Sequence, residues 1–425
     1  MDHPNGHRAL AFFDTLFPED DVAVPSEGTS IIEQIEDFTG FGAATQRISR
    51  DSIPYYINEF WTSGQRKAHS IHEVSYRACF KPQLPEFFIR RLTMPGDKVL
   101  DPFMGRGTTP VEAALLGRVP YANDINPLSI LLTRPRLRTP SYASVQKALM
   151  KIDWTASTLV PDELLVFYHP ETLRRICVLR DYLLDYAPVK EANPDPALDW
   201  IRMVAINRLT GHSAGFFSVY SLPPNQAVTA DAQRKINEKR GQIPPQRDVV
   251  SIILKKTRSL LRSGAPAVTR EIGLSTGAAS EILSIPSSSI ALTVTSPPFL
   301  DVVQYADDNW LRCWFAGIDV QDVSISMHKS VPAWEAMVRG VLEEQARVLR
   351  PGGHVAFEVG EVRNGKVLLE QSVWRAAETL PFERLGVMVN EQEFTKTANC
   401  WGVSNNAKGT NTNRIVLLRK VDGRN

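Results

Sequence analysis

The 425-residue sequence predicts an α/β protein with a parallel sheet and a mostly helical region inserted between the two halves of that sheet. Three observations predict this architecture. Residues 98–127 have the pattern of one strand, one helix and a second strand within about 30 residues, which is the start of a parallel sheet. Residues 136–285 are largely helical stretches separated by proline-containing turns. Strand character then returns at "SIALTV", residues 289–294.

Composition places the chain among ordinary globular proteins. Hydrophobic residues make up 43% and charged residues 22%, and the length favours two or three packed units. The net charge is only +1, so a nucleic acid would have to be held by a local basic surface. The four cysteines are far apart and form no CxxC pair, which predicts no metal site and fits a reducing cytoplasm. No apolar run reaches the ~18 residues that a membrane helix needs.

The first half of the predicted sheet follows an irregular N-terminal part. Residues 1–60 show no clear periodicity and are expected to form an arm or cap. Residues 61–135 are expected to form the first half: "EFFIRRL" (86–92) has helical spacing, and "VLDPF" begins a buried strand. The helix "PVEAALLG" stops at Gly117, and "VPYANDINP" supplies the second strand.

The second half of the sheet is expected at residues 286–425, after the helical region at 136–285. Within the helical region, "PETLRRICVLRDYLLDY" and "RDVVSIILKKTRSLLR" are the clearest helices. After the strand in "SIALTV", the stretch "PAWEAMVRGVLEEQARVL" is an amphipathic helix and "RPGGHVAFEV" turns into another strand. "NRIVLLRK" is the last predicted strand.

The stretch "DPFMGRGTTP" (101–110) follows a strand and opens a helix, which is the context of a nucleotide-type binding loop. Gly105 and Gly107 allow a sharp bend and a close approach of the backbone to a ligand. Unpaired N–H groups of the helix that begins near Thr108 can bind an anionic group. Asp124 follows Gly105 by 19 positions, close to the spacing at which an acid binds ribose hydroxyls. Pro110 replaces the third glycine of a dinucleotide loop, so an adenosine ligand with a carboxylate fits better than NAD. Alternatively, the loop is only a tight turn.

The stretch "TSPPF" (295–299) lies at the carboxyl end of a predicted parallel strand, where ligands bind. Pro297 and Pro298 fix φ and remove two N–H donors, so their carbonyls are free acceptors in a stiff turn. Ser296 Oγ and a proline carbonyl can accept hydrogen bonds from an exocyclic amine and orient its lone pair. Phe299 can stack on a base turned out of its helix, with a gain of ~1–3 kcal/mol. The alternative is a proline-rich loop that covers a strand end.

These segments together resemble the DNA amino-methyltransferases that use S-adenosyl-L-methionine. "VLDPFMGRGTTPVEAALLGRVPYANDINPLS" resembles their cofactor segment, "TSPPF" the catalytic segment of the N4-cytosine type, and "HEVSYRACFKPQLPEFFI" their second cofactor segment. The resemblance covers roughly residues 70–135 and 290–420, and the order of segments is the one called alpha. It implies a class I methyltransferase (Rossmann-like) sheet, with the helical insertion at 136–285 as the target-recognition region.

The resemblance also implies a role for each matching residue. Asp101 would contact the methionyl amine, Asp124 the ribose, and Phe80 the methionine part of the cofactor. The implied cofactor-binding set is Phe80, Asp101, Pro102, Phe103, Gly105, Gly107, Thr108, Asp124 and Ile125. The implied catalytic set is Ser296, Pro297, Pro298 and Phe299. Phe299 stands where the family more often has tyrosine.

The predicted reaction is methyl transfer to the exocyclic N4 amine of a flipped cytosine in duplex DNA, at a specific sequence. Duplex DNA is the expected partner, and no membrane partner is expected. The prediction leaves open a cognate restriction endonuclease as a second partner. Two alternatives stay open: an amino-methyltransferase acting on adenine N6 in DNA, on RNA or on a glutamine side chain, and a catalytically silent DNA-binding subunit. No Pro-Cys dipeptide is present, which argues against methylation of carbon 5.

Basic residues outnumber acids between Asp231 and Arg270, and this excess predicts contacts with DNA phosphates. The basic residues are Arg234, Lys235, Lys239, Arg240, Arg247, Lys255, Lys256, Arg258, Arg262 and Arg270. Asn225 and Gln226 could contact base edges. We expect Phe216, Phe217 and Tyr220 to pack in the core, and His72 and His212 to have hydrogen-bonded structural roles.

Overall fold

A computed structural model describes residues 29–61, 68–76, 79–221, 227–266, 271–300, 305–319, 328, 330–362, 367–391 and 412–422. The strands in this part of the chain are β1 (Gln46–Arg50), β2 (Ile53–Asn58), β3 (Lys98–Asp101), β4 (Val119–Asp124), β5 (Gly273–Thr276), β6 (Ile290–Thr295), β7 (Leu349–Val359), β8 (Glu361–Val362), β9 (Val367–Leu368), β10 (Phe382–Glu391) and β11 (Thr412–Lys420). Helices within these ranges are all too short or too polar to cross a membrane.

Nine of the described strands form one sheet in the order β1-β2-β10-β11-β7-β6-β3-β4-β5. Five neighbouring strands, in the order β7-β6-β3-β4-β5, run parallel to one another. Strand β11 is antiparallel to both β7 and β10. Strand β2 is parallel to β10, and β1 closes that edge as an antiparallel neighbour of β2. The predicted α/β fold with a Rossmann-like, mostly parallel sheet is thereby confirmed.

Helices cover both faces of this sheet. The described helices are α1 (Ile31–Glu36), α2 (Gln83–Leu92), α3 (Thr108–Leu115), α4 (Leu128–Leu137), α5 (Tyr142–Met150), α6 (Pro170–Tyr186), α7 (Pro196–Ile206), α8 (Ala230–Arg240), α9 (Val249–Leu260), α10 (Tyr305–Ala316), α11 (Val331–Val348) and α12 (Leu369–Ala376). On one face, α1, α2 and α3 share a core with sheet residues such as Leu292. On the other face, α11 and α12 pack against residues such as Phe357.

Between β4 and β5 the chain forms helices α4 to α9, which share a core with α10. Helix α7 is the centre of this core, because nearly its whole surface is buried. The side chain of Asp195 caps α7 by accepting hydrogen bonds from two backbone N–H groups of its first turn, and Pro196 occupies the first helical position. Both features are typical of a helix start.

Strands β1, β2 and β5 lie in parts of the chain for which the sequence predicted no strand. The N-terminal 60 residues were expected to form an arm or cap, but β1 and β2 belong to the sheet. Strand β2, "IPYYIN", is largely buried on both faces and therefore lacks the alternation by which a half-exposed strand is found. Strand β5 lies inside the stretch expected to be helical, and its four residues, "GLST", are too few to show a period.

Candidate active site

A cavity of about 190 Å³ lies at the carboxyl ends of β3, β4 and β6. In the sheet order β6 lies beside β3, and β4 lies on the other side of β3, so the chain crosses from one side of the sheet to the other at this point. Such crossing points are where open α/β sheets bind ligands. The predicted residues that line the cavity are Phe80, Asp101, Pro102, Phe103, Gly105, Thr108, Asp124, Ile125, Ser296 and Pro298.

The glycine loop forms the floor of the cavity and places its two glycines differently. Gly105 has a φ of 49° and lies on the cavity wall, where a side chain would point toward Tyr76. Gly107 has a φ of 76° and is the N-cap of α3, behind the wall. A Cβ at Gly107 would overlap the Thr133 side chain, so glycine is required there by packing between α3 and α4. Gly107 thus shapes the loop without lining the cavity.

Asp124, the last residue of β4, fastens the glycine loop to the sheet. Its Oδ2 accepts a 2.8 Å hydrogen bond from Gly105 N, and its Oδ1 accepts a 2.9 Å bond from Asn126 N. Burial raises the pKa of Asp124 above its ordinary value. A carboxylate has about four acceptor positions, so these bonds leave room for a ligand hydroxyl.

Asp101, the last residue of β3, is 1% exposed, and its carboxylate lies between the glycine loop and β6. Its Oδ1 accepts a 2.7 Å hydrogen bond from Thr295 Oγ1 and a 3.1 Å bond from Phe103 N. Burial raises the pKa of Asp101 to about 7, against the opposing effect of these hydrogen bonds. Asp101 can therefore change its charge near neutral pH.

The proline turn after β6 is held by two partners that the sequence did not reveal. Ser296 hydrogen-bonds to the side chain of Glu358 on β7, which is 6% exposed and also accepts a 3.0 Å bond from Asn413 Nδ2. Burial raises the pKa of Glu358. On the other side of the turn, Trp334 Nε1 donates a 2.9 Å hydrogen bond to the Pro298 carbonyl. Neither partner could be found from the sequence, because each is far along the chain from the turn.

Two residues of the predicted catalytic set do not line the cavity. Pro297 is a buried residue of the turn. The ring of Phe299 packs on the core beside α11, and a Cβ added at Gly360 would come within 2.8 Å of this ring. In this position the ring does not line the cavity, and stacking of Phe299 on an extruded base stays a prediction. Pro298 does line the cavity, and its carbonyl, which accepts one bond from Trp334, keeps a second lone pair.

Further residues that the sequence did not single out complete the cavity wall. Tyr76 and Cys79 lie beside Gly105, the segment after β5 contributes Gly277 to Ser280, and α11 contributes Met337 and Val341. His328 also lines the cavity, and its buried Nε2 has no hydrogen-bond partner in the described part of the chain. The only signal available for His328 was its residue type.

The basic excess of the helical region is partly neutralised within the protein. Lys256 and Arg262 both pair with Glu73, at 3.2 and 3.0 Å. Arg234 pairs with Asp231. The guanidinium groups of two further residues lie over aromatic rings, that of Arg240 over Tyr220 and that of Arg258 over Tyr142. Lys235, Lys239 and Lys255 are exposed, whereas Asn225, Gln226 and Arg270 lie outside the described residues.

The expectations for the aromatic rings and for one histidine agree with the structure. Phe216 and Phe217 are buried, and Tyr220 is half-buried. His72 Nε2 lies 2.8 Å from Glu112 Oε2 in a buried pair, which is a structural hydrogen bond. Burial lowers the pKa of His72 and raises that of Glu112 to about 8, so a neutral pair is favoured.

Comparison with known proteins identifies one part of the chain. Residues 42–130 match a family model described as DNA methylase. The chain is 35% identical over 85 residues to the Type II methyltransferase M.MjaII of Methanocaldococcus jannaschii, a stretch that covers 20% of this chain and 16% of that protein. It is 28% identical over 117 residues to the Type II methyltransferase M.MvaI of Kocuria varians, covering 27% of this chain and 24% of that protein. The matches thus span less than a quarter of these relatives.

Among solved structures, TrmN from Thermus thermophilus is similar at 13% identity, with 83% of this chain and 52% of that chain covered. Its TM-score of 0.31 is too low to support an argument about function. The family match contains the glycine loop and Asp124, and it ends before the proline turn at residues 295–299.

Proposed function

We propose that this protein transfers a methyl group from S-adenosyl-L-methionine to the exocyclic N4 amine of a cytosine turned out of duplex DNA. The observation that carries the proposal is that the glycine loop after β3 and the proline turn after β6 line the same cavity, with Gly105 and Ser296 both on its wall. The DNA methylase match of residues 42–130, which include the glycine loop, supports methyl transfer as the reaction.

The cavity has the groups that this cofactor requires. Asp101 and Asp124 are carboxylates on its wall, and Phe80, Phe103 and Ile125 are apolar surfaces on the same wall. Asp101 would hold the methionyl amine and Asp124 the ribose hydroxyls. Ile125, 37% exposed at the cavity, offers apolar surface to the adenine ring. Bound there, the cofactor supplies an electrophilic methyl group.

Ser296 is suited to orient an amine and to accept its proton. Because its hydroxyl hydrogen is engaged by Glu358, both lone pairs of Oγ are available to an N–H of the substrate amine. As the new N–C bond forms, the nitrogen becomes more acidic and gives a proton to Oγ while Ser296 passes its own proton to Glu358. The raised pKa of the buried Glu358 makes its carboxylate a stronger base for this step.

The rigid turn fixes the direction of the amine. The Trp334 bond to the Pro298 carbonyl and the Glu358 bond to Ser296 hold the turn on opposite sides. The second lone pair of the Pro298 carbonyl, a residue on the cavity wall, would accept the second amine hydrogen. Two fixed acceptors leave the nitrogen lone pair pointing toward the methyl group, and such pre-orientation lowers the barrier without a covalent intermediate.

His328 is a further candidate for contact with the base. Its Nε2 is buried at the cavity and has no partner within the described ranges, so a ligand acceptor or donor would satisfy it. Phe299 could stack on the base only after its ring leaves Gly360. The choice of cytosine over adenine rests on the serine before the prolines, as in the N4-cytosine type that the segment resembles.

The proposal is tested by offering labelled S-adenosyl-L-methionine together with duplex DNA, RNA or protein to the purified chain. Label that enters duplex DNA supports the proposal, and label that enters only RNA or protein contradicts it. A calorimetric titration that detects no cofactor binding would instead favour the silent DNA-binding subunit.

A further inference from the structure

A group of basic side chains lies near Tyr76, a residue of the cavity wall. Tyr76 lines the cavity, and the Arg312 guanidinium lies 5.9 Å from the centre of its ring. Arg208, just after α7, and Lys256 and Arg262, on and just after α9, complete this group, which we call the cationic cluster. Its members come from three helical elements that the segment 73–76 brings together.

The segment 73–76 contacts each of these elements. Glu73 accepts hydrogen bonds from Lys256 Nζ at 3.2 Å and Arg262 Nη2 at 3.0 Å. The Ser75 carbonyl accepts a 3.2 Å bond from Arg312 Nη2, and Ser75 N donates a 2.8 Å bond to Asn207 Oδ1. The cationic cluster is therefore built on the same short segment that forms part of the cavity wall.

Arg208 has a buried donor atom that the other residues of the chain do not satisfy within the described ranges. Its Nε is buried and has no hydrogen-bond partner among the residues that the structure describes. The guanidinium lies 4.1 Å from the centre of the Phe216 ring. Burial and the charge of Arg312 lower the pKa of Arg208 to about 10, and the charge of Glu73 opposes this effect. A buried donor without an acceptor is costly, and an anion next to it would remove that cost.

We propose that the cationic cluster binds a phosphodiester group of the DNA backbone beside the extruded nucleotide, with Arg208 as its main donor. This inference rests on the proposed function, because DNA is the ligand. When a base enters a pocket, the flanking phosphates stay at the rim of that pocket, and the cluster lies one side chain away from the cavity. Arg208 is half-buried and so remains accessible to such a group.

The test is the salt dependence of binding to a labelled duplex with one mismatched cytosine, a base that leaves the stack at low cost, measured by fluorescence anisotropy from about 50 to 200 mM salt. The salt slope, meaning the size of the fall of log K with log salt, decreases by about 0.9 when one phosphate contact is lost. Arg208→Gln should show this loss, and Arg208→Lys should retain most of the slope. Arg339→Gln is the matched control, because it removes one positive charge from the exposed side of α11, where Arg339 pairs with Glu343.

A second variant covers the case in which Arg208→Gln unfolds through loss of its packing on Phe216. Lys256→Gln leaves that packing in place and should also lower the slope by about 0.9. A wild-type slope in every folded variant overturns the proposed phosphate site. A wild-type protein that binds duplex DNA with the expected slopes but transfers no methyl group overturns the proposed function alone. Absence of DNA binding by the wild type overturns both.

Discussion

Thr295 Oγ1 donates a 2.7 Å hydrogen bond to the buried carboxylate of Asp101, two residues that are 194 positions apart in the sequence. Asp101 ends β3 and begins the glycine loop, and Thr295 ends β6 and immediately precedes Ser296. This one bond therefore joins the proposed cofactor loop to the proposed catalytic turn. The predictions below begin from it.

Cofactor affinity should depend on the charge of Asp101. Its pKa, raised by burial to about 7, leaves the carboxyl mostly protonated at pH 6, and a protonated carboxyl does not pair with the cofactor amine. The amine itself, with an ordinary α-amino pKa of about 7.7–8.0, stays largely protonated below pH 7.5. Affinity should thus fall about eightfold from pH 7.5 to pH 6. Calorimetry at several pH values measures this, and Asp101→Asn should bind weakly without that dependence. Equal pH dependence in both proteins would show that another group titrates.

Removing the Thr295 hydroxyl should shift this pH dependence upward. The bond from Thr295 lowers the pKa of Asp101, so Thr295→Val should move the midpoint of cofactor binding up by about one pH unit. Thr293→Val is the matched control. Thr293 lies on the same strand as Thr295, and its Oγ1 donates a buried 2.7 Å hydrogen bond to Gln345 Oε1 on α11. Both variants should lose about 1 kcal/mol of unfolding free energy, and only Thr295→Val should shift the midpoint. A shift in both would mean that strand packing, rather than the bond to Asp101, controls the titration.

Ser296 and Asp124 should separate catalysis from cofactor binding. Ser296→Ala should lower kcat by about 10²-fold and leave the cofactor Kd near normal, because the hydroxyl acts on the amine. Asp124→Ala should weaken cofactor binding, and it also removes the acceptor of the Gly105 and Asn126 N–H groups. Single-turnover rates and cofactor titrations distinguish the two effects. Equal loss of cofactor affinity in both variants would contradict this division of roles.

Glu358 should act through Ser296. Glu358→Gln keeps the size of the side chain and can still bond to Asn413, but it cannot accept a proton, so kcat should fall about 10²-fold without loss of cofactor affinity. Glu370→Gln is the control, because Glu370 is an equally buried acid whose carboxylate pairs with Arg414. It should reduce stability and leave kcat unchanged. A wild-type pH–rate profile in Glu358→Gln would remove Glu358 from the proposed proton path.

Local signals predicted the parts of the site that depend on neighbouring residues. The glycine loop and the proline turn follow strands whose apolar runs are clear, and Asp124 ends another such strand. Because ligands bind at the carboxyl ends of parallel strands, Gly105 and Ser296 were expected to share one site, and both lie on the cavity wall. Glu358 and Trp334 could not be predicted, because they reach the turn only through the pairing of β6 with β7 and the packing of α11. The short strand β5 and the largely buried β2 were missed because neither shows a period.

The central claim is that the loop at Gly105 and the turn at Ser296 act together on the N4 amine of cytosine in DNA. The most direct measurement is mass spectrometry of nucleosides from the DNA of cells that express the protein. We predict N4-methylcytosine with the wild-type chain and none with Ser296→Ala at equal protein level. N6-methyladenine in place of N4-methylcytosine, or an undiminished yield from Ser296→Ala, would contradict the claim.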